Sequence, residues 1–480
     1  MSPRDSSREP APRGWRGRRC LALGSRLDRL RGRDAMQDLP RLRQMEWWDA
    51  EAYDAHRQER LAELLDFCWQ QVPFYRRRIE AAGLERSDLA DALPALQALP
   101  PLTKAELREH GESLLTEPPE SLATATTSGS TGAPVRVWQD RHFAGWSRAL
   151  LRRAFLWHGV EYYEPRVFLL GTPAGPVAAL KQRLIDRVIG RRLVSFHGLD
   201  DAGYGRVLRT IEKFRPAYIT AYPSVLDELC RYAARTGQDL RGRGIRLLHS
   251  QSEMLLDTHR ESFREVFGDV PVLNEYGCVE IGAMAFSCPA GTLHICHEQV
   301  VFEVVDDGGQ PVPPGTTGRI LLTPLEARGM PLLRYEIGDA GTLSEEACSC
   351  GRMAGTAVLE RLDGRLFEQI LGLGGERFNA GIVHFLMRRA GLAQHLAEYL
   401  AVQRRPGELE LLLVPRPAAS PDEETSGGET PNWEALVQEA KRLFGQAVVA
   451  SYRLVDTIPR PPRGAGAKKR GYFRSEISEP

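Results

Sequence analysis

The sequence predicts an α/β protein: a large N-terminal domain built from several subdomains, followed by a small, mobile α+β C-terminal domain. Three observations predict it. Short apolar runs at 166–171, 217–221, 245–249 and 271–274 alternate with helical stretches, the pattern of a largely parallel sheet. From 300 to 345 the pattern changes to short strands joined by Asp-Asp-Gly-Gly and Pro-Pro-Gly turns, which reads as a β-rich subdomain. The length, 480 residues, exceeds one ordinary compact domain.

Taken in order, the first 34 residues are Arg-rich and carry Trp15 and the apolar stretch Cys20–Leu23. That stretch is too short for a signal peptide. The segment 1–40 is expected to be a disordered basic leader, or else a weak contact for a membrane surface or partner. Residues 46–82 read as helix, with Leu61, Leu64, Leu65 and Phe67 at roughly helical spacing. The Pro-rich stretch 94–104 breaks it, and Thr103 is placed to cap the next helix. The main boundary is expected at Asp363–Arg365, giving domains 41–363 and 364–480. Inside the second, the polar stretch Pro417–Asn432 reads as a mobile loop.

Basic and acidic residues balance at 63 each, so no bulk field favours nucleic acid or an anionic membrane. No apolar run of about 18 residues predicts a transmembrane helix, and a cytoplasmic location is the default expectation. Eight cysteines are too few for a disulfide scaffold. Five of them fall between Cys278 and Cys350, which points to a local role instead.

Several short strings carry chemistry. In Thr126-Thr127-Ser128-Gly129-Ser130-Thr131-Gly132-Ala133-Pro134, two glycines let backbone N–H groups converge, and hydroxyls add donors. Such a concavity suits polyphosphate oxygens, although composition alone allows a flexible Ser/Gly loop. No Gly-Lys-Ser/Thr follows, so it is not a Walker loop. Asn274-Glu275-Tyr276-Gly277-Cys278-Val279-Glu280 places an aromatic ring, a glycine and carboxylates at a strand end, where they can stack a base and hold a cation, or form a structural turn. Asp339, in Arg334-Tyr335-Glu336-Ile337-Gly338-Asp339, can accept from two ribose hydroxyls or be an ordinary turn residue.

Cys288, His294, Cys348 and Cys350 form a candidate tetrahedral zinc set, with Cys296 and His297 as rival ligands and reduced, unmetallated thiols as the alternative. Gly364 and Arg365 open the C-terminal segment as a turn whose Arg can reach phosphate. Near the end, Lys468 and Lys469 follow Gly464-Ala465-Gly466-Ala467, either as a swinging cation or as a basic solvated tail.

Together these strings resemble the phenylacetate–CoA ligase family of the adenylate-forming superfamily, including its branch of capsule-biosynthesis adenylyltransferases. The likeness runs from about residue 46 to 475, also through Val72-Pro73-Phe74-Tyr75, Leu99-Pro100-Pro101-Leu102-Thr103-Lys104 and Ala221-Tyr222-Pro223-Ser224. It implies an ATP-dependent enzyme that turns a carboxylic acid into acyl-AMP, releases pyrophosphate, and passes the acyl group to coenzyme A. By resemblance, Thr127, Ser128, Gly129, Ser130, Thr131 and Gly132 hold the phosphates. Ser252, Glu253, Glu275, Tyr276 and Gly277 surround the adenine, and Asp339 binds the ribose. Glu280 binds Mg²⁺, while Arg365 and either Lys468 or Lys469 act in catalysis. A structural Zn²⁺ and a homodimer are implied in the same way.

The chain departs from the family pattern at four places. Val135 and Arg136 stand where a Lys often follows the loop, Val279 replaces a hydroxyl, and Phe367 replaces a hinge Asp or Lys. An Ala also separates Gly466 from the lysines. The alternatives are an adenylyltransferase that leaves AMP on its product, and a degenerate nucleotide-binding protein. The activated acid is not read from the sequence. Trp146–Trp157 and Tyr222 are candidates to line its pocket, and core packing explains them equally.

Overall fold

A computed structural model describes residues 14–32, 35–126, 135–170, 176–195, 199, 201–365, 369–380, 382–392, 395–415, 432–458 and 473–477. The chain forms two compact units. One comprises 1–125, 136–337 and 341–361; the other comprises 126–135, 338–340 and 362–480.

Strands β1 (Ala123–Thr126) and β2 (Arg136–Gln139) pair with each other. The main sheet follows: β3 (Arg166–Leu169), β4 (Arg191–Val194), β5 (Tyr218–Ala221), β6 (Leu247–Gln251), β7 (Val272–Cys278), β8 (Gly282–Ser287), β9 (Leu293–Ile295), β10 (Val300–Val305), β11 (Thr317–Pro324), β12 (Tyr335–Ser344) and β13 (Val358–Arg365). Their order is β10-β11-β12-β13-β9-β8-β7-β6-β5-β3-β4.

The segment β4-β3-β5-β6-β7 is parallel, with helices Pro176–Val188, Asp201–Phe214, Pro223–Arg235 and Asp257–Phe267 as crossovers. The central strands β3, β5 and β6 are buried on both faces, which is why short apolar runs mark them in the sequence. The order reverses around β3, and this topology leaves a crevice at the strands' carboxyl ends. β7, β8 and β9 continue antiparallel into the β-rich half.

The second unit is α+β. β14 (Gln369–Leu371) pairs with β15 (Arg377–Asn379). β16 (Leu396–Arg405), β17 (Glu408–Pro415), β18 (Val449–Leu454) and β19 (Phe473–Ser475) form a sheet in the order β18-β17-β16-β19. Helices Ile382–Arg389 and Glu434–Phe444 bury Val383, Leu386, Leu436, Ala440 and Phe444 in the core shared with that sheet.

Two expectations need correction. The stretch 46–82 is not one helix: Ala50–Gln71, capped by Asp49 accepting from the Ala52 N–H at 2.9 Å, ends at Val72. Pro73 starts Pro73–Ala81, because it lacks an N–H and its ring fits only a first turn. The leader is not disordered over its described part. Gly14–Leu30 and Ala35–Met45 are helices with Cys20, Leu39, Leu42 and Met45 buried. Gly24 lies so close to the Tyr163 ring that a Cβ there would fall 2.2 Å from Cδ1, and Tyr163 in turn bonds to Asp28. Thr103 does cap Lys104–His110, in a reciprocal box with Glu106.

Glu326 ties the helix Ala50–Gln71 to Arg141–Trp157. Its carboxylate accepts from Arg60 at 3.0 and 2.9 Å and from His142 at 3.0 Å. Burial pushes this carboxyl up, but the hydrogen bonds from His142 and Arg60 outweigh that and hold it at about 2. The same bond raises His142 above 6.5. A depressed folded carboxyl contributes stability above its unfolded value that is lost as pH falls from 4.5 towards about 2. A raised histidine contributes stability below 6.5 that is lost as pH climbs through its folded value. Glu326→Gln is therefore expected to flatten both limbs of a melting-temperature-against-pH profile, read by circular dichroism. Among the described residues, no helix is long and apolar enough to cross a membrane.

Candidate active site

The carboxyl ends of β5, β6 and β7 bring together residues that lie far apart in the chain. Register pairs Ala221 with Ser250 and Gln251 with Glu275. Tyr222 therefore follows β5, Ser252 and Glu253 follow β6, and Glu275, Tyr276 and Gly277 lie on β7. Glu280 sits on the turn between β7 and β8.

Ser252 is held at φ +66, a left-handed conformation uncommon for a side-chain-bearing residue and frequent at functional sites. Glu253 accepts from the Ser224 N–H at 3.2 Å and its hydroxyl at 2.6 Å, at the first turn of Pro223–Arg235. A carboxylate there is favoured by the helix dipole. The Tyr222 hydroxyl is pushed up by burial and by Glu253.

Behind this edge runs a hydrogen-bonded chain across three strands. Thr220 Oγ1 lies 3.2 Å from His249 Nδ1, and His249 Nε2 lies 2.8 Å from Glu275 Oε2. His249 packs edge-on against Phe155. The chain fixes Glu275, and with it the backbone that carries Tyr276. Sequence reasoning missed His249 because nothing local marks a strand histidine as the partner of a residue on the next strand.

Gly277 has a packing reason of its own. β7 bulges between Tyr276 and Gly277, and a Cβ on Gly277 would lie 2.7 Å from the Gly282 carbonyl oxygen. Past it, the Val279 carbonyl accepts from Gln139 Nε2 at 2.8 Å, and the Val279 side chain is exposed. Glu280 is 9 % exposed, and its Oε1 accepts from the Tyr335 hydroxyl at 3.0 Å. Tyr335 was not picked out from the sequence, although it sits in the string that ends at Asp339.

Asp339 lies on β12 after Gly338, whose φ is +85, and is largely buried. Arg365 closes β13 after Gly364 at φ +75. Thr127, Ser128, Gly129, Ser130, Thr131 and Gly132 lie outside the described residues, as do Phe367, Lys468 and Lys469. Trp146, Phe155 and Trp157 are buried in the core, which favours packing over pocket lining for them.

A second cluster joins the β8–β9 turn to residues before β13. The donor atoms of Cys288, His294, Cys348 and Cys350 all lie within 4.8 Å of one another. Cys288 and Cys348 sulfurs are 3.6 Å apart, and Cys350 Sγ is 3.3 Å from His294 Nε2. Tetrahedral zinc with bonds of about 2.3 Å to sulfur requires donors this close. The Cys350 thiol is held low by the hydrogen bonds from Cys288 and His294. The rivals point elsewhere: Cys296 faces Arg153, and His297 Nε2 bonds to the Ala357 carbonyl at 2.8 Å.

A doubly wound sheet with an aromatic residue and a carboxylate at its carboxyl edge defines a nucleotide-binding α/β enzyme. Residues 50–324 match the AMP-binding enzyme family. The chain belongs to that family and is an adenylate-forming ligase of the phenylacetate–CoA ligase-like branch. It is 29% identical over 326 residues to the phenylacetate-coenzyme A ligase of Thermus thermophilus, covering 64% of this chain and 70% of that one. It is 23% identical over 290 residues to protein CapK of Staphylococcus aureus, covering 60% and 62%. In fold it is similar to 2-hydroxyisobutyryl-CoA ligase in the postadenylation state, with a TM-score of 0.68 at 20% identity over 90% of this chain and 91% of that one.

Proposed function

We propose that the protein activates a carboxylic acid with ATP to an acyl-AMP, releasing pyrophosphate, and that the thiol of coenzyme A then attacks the acyl carbonyl, forming the thioester and expelling AMP. The observation that carries this reading is the convergence of Tyr276, Glu280 and Ser252 at the carboxyl edge of β6 and β7, in a chain of the AMP-binding family. The acid's carboxylate attacks the α-phosphorus in line, and pyrophosphate leaves. Thr127–Gly132 cradles the phosphates, Tyr276 packs on adenine, and Asp339 accepts from the ribose hydroxyls. Glu280 offers the hard oxygen donor that Mg²⁺ takes together with substrate phosphates. When bound, that ion neutralises charge developing on the transferring phosphate.

Lys468 or Lys469 orients the attacking carboxylate, and Arg365 meets phosphate. Residues 364–480 act as the lid, and the chain works in the cytoplasm. Its partners are a small carboxylic acid and coenzyme A. The test is AMP formation by the purified protein from Mg-ATP and a panel of aryl, arylacetic and fatty acids, with and without coenzyme A. Acid-dependent AMP with a matching acyl-CoA mass supports the reading. AMP retained on a product without coenzyme A replaces it with adenylyl transfer, and ATP binding without any turnover removes both.

Cys288, His294, Cys348 and Cys350 fit a structural Zn²⁺ and leave no open position for catalysis. Cys348→Ser is expected to lower zinc content by elemental analysis, to weaken the metal by more than the about 10- to 100-fold that losing a partner of a ligand costs, and to drop the melting temperature. Equal zinc in both proteins would remove the assignment.

A further inference from the structure

Helix Pro176–Val188 exposes apolar side chains along one face. A surface helix ordinarily turns its apolar stripe to the core and its charges to water. Here Leu180, Leu184 and Val188, four residues apart along one face, are 60%, 61% and 50% exposed. Lys181, Arg183 and Arg187 are exposed beside them. The helix's one acid, Asp186, is buried and already engaged, accepting from Gln182 at 2.7 Å and Arg191 at 2.8 and 2.6 Å. No carboxylate on this helix answers the three exposed cations.

The N-terminal helix Gly14–Leu30 adjoins it. Cys20 packs at Gly190, just past the end of Pro176–Val188, where a Cβ would lie 2.3 Å from its sulfur. The guanidiniums of Arg16 and Arg192 both sit over the Phe214 ring, at 5.3 and 4.5 Å. Burial, and then the nearby charges of Arg187 and Arg16, lower Arg192. Trp15, which precedes Arg16 in the chain, is 66% exposed. Helix Pro176–Val188 therefore presents an apolar stripe flanked by three cations, and the adjoining N-terminal helix adds an exposed indole and a further arginine.

We propose that this face docks on an anionic phospholipid bilayer, with Leu180, Leu184 and Val188 entering the boundary between headgroups and acyl chains. A helix whose exposed face carries leucines flanked by basic side chains lies in that plane, and tryptophan prefers the headgroup level. Lipid phosphates supply the negative charge that this helix lacks, and the acyl boundary covers the leucines. A second copy of the chain fits less well. Two-fold pairing of this face would set Lys181, Arg183 and Arg187 against the same residues of the partner, and like charges brought together oppose association. The attachment is peripheral and stands apart from the adenylation reading.

The test is co-sedimentation of the full chain with vesicles of phosphatidylcholine alone and of phosphatidylcholine with phosphatidylglycerol. Wild-type protein is expected to partition at least about tenfold more strongly onto the anionic vesicles, and to come off as salt rises. Leu180→Glu with Leu184→Glu, and separately Lys181→Glu with Arg183→Glu and Arg187→Glu, are each expected to lower that partition about tenfold or more. All these side chains are exposed, so both variants are expected to keep wild-type melting temperatures. Equal partition onto both vesicles, no partition, or unchanged partition in both variants would overturn the proposal. So would a wild-type dimer, seen by sedimentation velocity and dispersed by the leucine variant, in the absence of lipid-dependent binding.

Discussion

Glu280→Gln is expected to slow acid-dependent AMP formation by about 100- to 1000-fold while leaving the fold intact. The substitution keeps the size of the side chain and an oxygen that can still accept from the Tyr335 hydroxyl, now 3.0 Å away. What it removes is the negative charge at the turn after β7. A site that stabilises charge on a transferring phosphate loses about 2.7–4 kcal/mol when one well-placed electrostatic partner goes. With Glu280 in its proposed role as a Mg²⁺ donor, the loss should fall mainly on the chemical step and be eased by raising Mg²⁺, because a lone carboxylate binds that cation jointly with substrate phosphates. Tyr335→Phe is expected to cost less, about 1.5–3 kcal/mol, since it deletes one donor to that carboxylate and leaves the charge in place. Pyrophosphate release measured over a magnesium titration separates the two. An unchanged rate in Glu280→Gln would move the cation elsewhere and remove Glu280 from catalysis.

The parallel sheet was legible because its signal is local. Strands buried on both faces are rich in apolar residues, so 167–169, 218–221 and 247–248 stand out between polar crossovers. The Cys/His cluster was legible for a different reason: four soft donors in a chain with few cysteines have few other uses.

Contacts that depend on register were not legible. His249 meets Glu275 only because β6 and β7 pair in parallel with Gln251 opposite Glu275, and no short window of sequence carries that fact. The N-terminal helix was hidden by its own packing. Its buried positions are Gly17, Cys20 and Gly24, so the face that docks is made of small residues, and glycines read locally as helix breakers. Gly24 is required there because the Tyr163 ring occupies the space of a side chain. Gly277 shows the same ambiguity: a glycine beside a candidate nucleotide site is demanded by the approach of β8.

The largest stability effect is expected at Arg334, a residue in the string ending at Asp339 that no local pattern singles out. Arg334 is 2 % exposed, at φ +50, and reaches in four directions. Its guanidinium pairs with Glu303 at 3.1 Å and donates to the carbonyls of Gln97 at 2.8 Å, Leu99 at 2.6 Å and Gly309 at 2.6 Å. It thereby holds the Pro-rich loop before Lys104–His110 against β10. Arg334→Met would leave a buried carboxylate and three carbonyls without their donor, and is expected to cost about 3–5 kcal/mol.

The pH dependence has a definite sign. Burial raises the Glu303 carboxyl above 4.5 even with Arg334 beside it. A group whose folded value is raised binds more protons when folded, so its contribution falls as pH rises through that window. Removing the guanidinium extends the window upwards. The deficit of Arg334→Met is therefore expected to be greatest at neutral pH and to shrink as pH falls towards 4.5. Urea unfolding at the two pH values measures it. Adding Glu303→Leu should recover part of the neutral-pH loss, because an apolar pair does not carry the cost of a lone buried charge. A small, pH-independent loss would mean that water already reaches Glu303 and that the pair does not hold this corner of the fold.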